Sequence, residues 1–164
     1  MKYKIINNRN AEILKNRIAN IISETKQHLG NKDLPDITIK IVKYDRRTTN
    51  NVATAWVAGF GIGLNTLQDK LAHYKANGVT ITFGIELYYD TTTPENDWYN
   101  SYVIPHIVRH ELAHVWFDAD HNEDCQLMLE NTDIESGYFM ENEEIAILKQ
   151  LQAKTIPIRS IAIS

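Results

Sequence analysis

The segment 105–117, PHIVRHELAHVWF, constrains the fold of this chain more than any other stretch. Its apolar residues recur at helical spacing, and Pro105 stands where a helix tolerates proline in its first turn. His110 and His114 are four residues apart, so a helix places both side chains on one face. The sequence therefore predicts a helix over about 105–117, with an apolar back for packing and a face that carries histidines.

The pattern His-Glu-x-x-His, formed by His110, Glu111 and His114, has a direct chemical meaning. Two neutral imidazoles one turn apart can bind one metal ion, and Zn²⁺ suits nitrogen ligands in a tetrahedral site with one open position. Glu111 is offset by about 100° around the helix, so it reaches a water on the metal rather than the ion. Zinc lowers the pKa of such a water to about 7, and Glu111 would be the general base that takes its proton. The motif predicts Zn²⁺ as cofactor and hydrolysis as the reaction; the alternative is a chance occurrence on a surface helix.

A catalytic zinc site needs a third protein ligand, and the sequence offers two nearby. His121 lies seven residues after His114, where a turn after the helix could return it to the metal, and Asp120 could bind through oxygen instead. His106 does not qualify, because the outer two of His106, His110 and His114 lie roughly 11 Å apart along a straight helix. We interpret His106 as a helix-start or supporting residue.

The run HELAH, followed by His121, Asp124 and the pair Leu127-Met128, resembles the metzincin clan of zinc peptidases, and matrixins in particular. Their pattern is HExxHxxGxxH, then a short loop and a Met-turn. The segment ENEEIAILKQLQ at 141–152 resembles their C-terminal helix, so the specific likeness covers about residues 108–150. The resemblance implies a zinc endopeptidase with Met128 as an apolar floor beneath the histidines.

The sequence departs from the matrixin pattern between the histidines. The family glycine would fall at Phe117 and the third ligand at Asp120, and a related small branch of the clan uses aspartate there. One residue inserted before His121 restores the histidine to the pattern, and a wider turn relieves the need for glycine. We favour His121 as the ligand, keep Asp120 as the alternative, and expect Asp118 to accept an imidazole N–H.

Two other classes of protein remain open. A gluzincin-like site, or one like that of the short intracellular peptidases that cleave phage-type repressors, takes its third ligand from a later glutamate. A non-catalytic, metal-stabilised binding module is the other class, although a purely structural zinc has no need of Glu111. Four glutamates lie 21 to 30 residues past His114: Glu135, Glu141, Glu143 and Glu144.

Length and composition indicate how many domains the chain has and which kinds of partner it binds. The 164 residues predict one zincin-like domain, with an N-terminal subdomain over about 1–115 and a C-terminal one over about 116–164. A net charge of −4 and the lack of a long apolar run argue against nucleic-acid or membrane partners. The resemblance to zinc peptidases implies a peptide or protein substrate, and a monomer is expected. The single cysteine, Cys125, excludes an internal disulfide. The first ten residues lack a secretory apolar region, which fits a cytoplasmic protein or one whose leader has been removed.

The remaining pattern predicts an α+β fold with a small twisted mixed sheet, an active-site helix and a C-terminal helix. Strands are expected from residue 37, at 53–58 and at 79–90, helices at 10–29, 66–77 and 142–152, and a short terminal strand in the tail. An extended peptide would pair with the edge strand of the sheet, either GIGLN (61–65) or VTITFGIEL (79–87).

Overall fold

The computed structural model describes residues 9–43, 53–57, 66–85, 102–129 and 140–163. Within them lie four α-helices and three strands, so the predicted mixed α+β class is confirmed. The 3₁₀ turn Gln126–Met128 follows the third helix. In chain order the elements are α1 (Arg9–Leu29), β1 (Ile37–Lys43), β2 (Ala53–Val57), α2 (Leu67–Asn77), β3 (Val79–Ile85), α3 (Ile104–Phe117) and α4 (Glu141–Ile163).

The three described strands form one mixed sheet in the order β1-β3-β2. β3 is parallel to β1 and antiparallel to β2, and Ile81 stands opposite both Ile39 and Ala55. Val79, Ile81 and Phe83 are buried while the threonines between them are half-buried, as the alternation of this segment predicts. Because β3 lies in the middle of this sheet, the prediction that 79–87 could be the edge strand is wrong for residues 79–85; 61–65 fall outside the described residues.

The core lies between the sheet and helices α1, α3 and α4. α3 contributes its predicted apolar back, since Val108, Leu112 and Trp116 are fully buried. The indole N–H of Trp116 donates to the carbonyl of Pro35 at 3.1 Å, which ties α3 to the segment before β1. Burial of each such side chain stabilises the fold by about 1.5–3 kcal/mol, so the helix that carries the histidines is firmly anchored.

α2 begins and ends where the sequence indicates. The hydroxyl of Thr66 accepts the backbone N–H of Asp69 at 3.0 Å and so caps the first turn. Gly78 has φ +79°, a conformation that favours glycine, and it ends the helix immediately before β3.

The prediction of a short terminal strand in the tail is wrong, because α4 continues to Ile163. A strand requires a neighbour for its backbone groups, whereas a helix satisfies most of its own, although Pro157 within the tail has no N–H to donate. The predicted inward face of α4 is confirmed: Ile145 and Leu148 are buried. None of the described helices combines the length and apolar character needed to cross a membrane.

Candidate metal centre

Three histidines converge at the end of α3. His110 and His114 project from the helix, His121 returns from the turn that follows, and their ligand atoms all lie within 4.8 Å of one another. The Nε2 atom of His114 is 3.1 Å from that of His110 and 3.2 Å from that of His121. Two nitrogens bound tetrahedrally to one zinc ion lie roughly 3.3 Å apart, given Zn–N bonds of about 2.0–2.1 Å. The three side chains are therefore close enough to bind one metal ion.

Backbone carbonyls orient both helical imidazoles. Nδ1 of His110 lies 2.7 Å from the carbonyl oxygen of Leu127, and Nδ1 of His114 lies 2.6 Å from that of Ala119. A carbonyl oxygen can only accept, so each Nδ1 carries the proton and each neutral ring presents an unprotonated Nε2. Two such lone pairs 3.1 Å apart cannot hydrogen-bond to each other, and a shared cation relieves their repulsion.

A proton is not a ready substitute for a metal ion between the two Nε2 atoms. Burial lowers the pKa of His110 to about 4, and burial also lowers the pKa of His114. Both rings therefore stay neutral at pH 7, which is the form that a metal ion requires of an imidazole ligand.

The turn that returns His121 depends on one left-handed residue. Phe117 remains helical, and Asp118 adopts φ 53° and ψ 35°, with its backbone N–H directed to the carbonyl of Ala113. The N–H of Ala119 donates to the same carbonyl at 3.2 Å, which closes the end of the helix. Aspartate is among the few residues besides glycine that tolerate this conformation. The chain therefore leaves the helix at Asp118, and Phe117 does not have to adopt the left-handed conformation.

The structure separates the two third-ligand candidates. Both side chains are exposed, but His121 belongs to the cluster and Asp120 does not. Within the described ranges, no other group of three or more histidine, cysteine, aspartate or glutamate side chains has this proximity.

Met128 lies in the 3₁₀ turn directly after the carbonyl that orients His110. Its side chain is 2% exposed, and Leu127 is fully buried. The N–H of Asn122 donates to the carbonyl of Met128 at 2.9 Å, and the N–H of Met128 donates to that of Cys125 at 3.0 Å. The loop therefore closes on itself between His121 and the buried methionine.

Asp118 does not accept the imidazole N–H of His110 or of His114, so the expected role of Asp118 is wrong for these two rings. The N–H groups of His110 and His114 go to backbone carbonyls, and the Asp118 carboxylate instead binds Lys70 of α2, with Nζ–Oδ2 at 2.7 Å. This hydrogen bond raises the pKa of Lys70.

A buried ion network on α3 was predicted only in part from the sequence. The carboxylate of Glu144, in the first turn of α4, binds Arg109 at 2.7 Å and His106 at 2.5 Å through its two oxygens. His106 lies in the first turn of α3, which agrees with the helix-start interpretation. The spacing of His106 and Arg109 places them on one face of an apolar helix, and that was the available signal for a buried acidic partner.

None of the later glutamates that the structure describes belongs to the cluster of His110, His114 and His121. Glu144 is committed to the ion network, Glu141 is exposed and faces His28 at 3.7 Å, and Glu143 is exposed. Glu135 lies outside the described residues. Glu111 is on α3 and 8% exposed.

A cavity of about 800 Å³ opens elsewhere, between α1, α3 and the start of α4. Arg109 lines it, and none of the three histidines does. Cavity size therefore does not identify the candidate site in this protein, whereas the convergence of ligand atoms does.

Comparison with family models, with curated proteins and with solved structures returned no match to this chain. The class of site must therefore be argued from its own residues: a three-histidine cluster, with a glutamate next to the first histidine, on a buried helix of an α+β fold.

Proposed function

We propose that this chain is a zinc-dependent metalloendopeptidase of the metzincin type, resembling matrixins. One observation carries the proposal: three imidazole nitrogens converge, and carbonyls fix two of the rings with the unprotonated Nε2 toward the cluster. Imidazole nitrogens suit zinc, and three protein ligands leave the fourth position that a catalytic site keeps open.

The roles follow from the chemistry of each side chain. His110, His114 and His121 hold the ion. When bound, Zn²⁺ supplies Lewis-acid activation of a water and of the substrate carbonyl. Glu111 takes a proton from the attacking water, a C–O bond forms at the carbonyl carbon, and Glu111 delivers the proton to the amine as the C–N bond breaks.

The sheet supports an extended peptide as substrate. β2 lies at one edge of the described sheet, next to β3, and it packs near α3. An edge strand offers backbone N–H and C=O groups to a peptide in extended form, and alternate side chains of that peptide then face the protein. This mode favours peptides and protein segments over compact small molecules.

The contacts of Glu144 weaken the gluzincin-like alternative, in which a later glutamate is the third metal ligand. Both oxygens of Glu144 are engaged by His106 and Arg109, so this carboxylate could reach a metal only by breaking a buried network. That class of site would need Glu135 or a rearranged α4. No contact in the described residues favours it, or the non-catalytic binding module, over the three-histidine site.

Glu111→Ala tests the catalytic proposal. We expect the variant to bind zinc as wild type does and to lose hydrolysis of an unstructured protein substrate by a factor of about 10²–10⁴, the usual contribution of a general base. Zinc content by mass spectrometry and release of new amino termini are the two measurements. Undiminished hydrolysis would refute the mechanism, and zinc binding with no hydrolysis in wild type would favour the binding module.

A further inference from the structure

Lys70 of α2 contacts the turn that returns His121 to the other histidines. Its ammonium is 2.7 Å from the Asp118 carboxylate, and its side chain is 25% exposed while that of Asp118 is 46% exposed. The contact joins residues 48 positions apart in the chain. This ion pair thus links α2 to the left-handed residue at the end of α3.

The ion pair with Lys70 offsets a conformational cost at Asp118. It is the non-glycine residue with positive φ in the described ranges, at 53°. A left-handed conformation costs an L-residue roughly 1–2 kcal/mol, although aspartate tolerates it better than most. An ion pair that forms only when the chain turns at this residue favours the turn over a continued or frayed helix.

Two contacts within the histidine cluster depend on the same turn. The carbonyl of Ala119, the next residue, accepts the Nδ1 proton of His114 at 2.6 Å. His121, two residues further, lies 3.2 Å from His114 through their Nε2 atoms. A change at Asp118 therefore disturbs both the orientation of one ligand and the delivery of another.

We infer that Lys70 is a positioning residue for the metal centre: by holding Asp118 in its left-handed turn, it keeps His121 and the Ala119 carbonyl in place for metal binding. The inference rests on the metal site of the proposed function and not on peptidase activity. According to this inference, α2 contributes to metal binding although none of the three clustered histidines lies on it.

Zinc affinity in three single variants tests this role. Lys70→Met should raise the Kd for Zn²⁺ about threefold to tenfold, because partly exposed ion pairs contribute modestly while residues that orient ligands contribute more. Lys75→Met, on the same helix and exposed, is the matched control and should bind zinc as wild type does. Lys70→Arg keeps the charge and should recover most of the affinity. The metal-free forms of Lys70→Met and Lys75→Met should unfold at the same urea concentration, which separates positioning from general stability.

Asp118→Gly completes the test. Glycine adopts the left-handed turn without an ion pair, so adding Lys70→Met to Asp118→Gly should leave the Kd unchanged. The inference is overturned if Lys70→Met binds zinc as tightly as Lys75→Met, or if it weakens binding equally with and without Asp118. A wild-type chain that binds no zinc overturns the proposed function and this inference together, whereas tight binding untouched by Lys70→Met overturns the inference alone.

Discussion

The imidazole of His110 donates its Nδ1 proton to the carbonyl of Leu127 at 2.7 Å, which joins the helix of the metal site to the turn that buries Met128. The bond fixes the tautomer of His110 and the direction of its ring. It also means that the 3₁₀ turn at Gln126–Met128 must be well packed for His110 to be well oriented.

Met128→Ala should therefore weaken both the fold and the site. The side chain is 2% exposed, and truncation of a buried methionine costs about 2–5 kcal/mol in the free energy of unfolding. Met128→Leu preserves the volume and should cost less than about 1.5 kcal/mol. Urea denaturation of the metal-free proteins measures both effects. Met140→Ala, at a methionine that is 48% exposed, is the control that should change little.

Removal of the metal should lower the melting temperature. Zinc at about a hundredfold excess over its Kd adds roughly 2.7 kcal/mol of stability, which corresponds to a shift of about 5–11 °C for a chain of this size. Calorimetry with and without a chelator measures the shift. In His110→Ala the chelator should have little effect, and an equal shift in that variant would show that the metal binds elsewhere.

Glu144→Gln should be strongly destabilising, although Glu144 is not a member of the three-histidine cluster. Its carboxylate binds Arg109 and His106 while only 4% exposed, so its loss leaves a buried cation without its partner, at a cost of about 3–5 kcal/mol. Glu143→Gln is the matched control, since Glu143 is the exposed neighbour in the same helical turn. Equal unfolding midpoints for the two variants would contradict the network as described.

Local signals in the sequence predicted the elements whose ends are determined by neighbouring residues. Thr66 and Gly78 mark the limits of α2, and the alternation of Val79, Ile81 and Phe83 marks the buried face of β3. The helical spacing of His110 and His114 likewise placed two ligand candidates on one face, because that spacing depends only on helix geometry.

Features that depend on contacts between residues far apart in the chain were harder to predict from the sequence. The pairing of Asp118 with Lys70 joins α2 to the end of α3, and nothing near Asp118 in the sequence indicates it. The sequence predicted a wider turn that does without glycine, but it did not indicate that Asp118 would be the left-handed residue. Similarly, Glu144 was considered as a ligand because its distance from His114 along the chain is suitable, but its position in space is set by how α4 packs on α3.

The zinc content of three proteins tests the central claim most directly. Mass spectrometry under native conditions should find one zinc ion per chain in wild type and in Asp120→Ala, and little or none in His121→Ala at the same free zinc concentration. Full zinc occupancy in His121→Ala, with loss in Asp120→Ala, would contradict the three-histidine site.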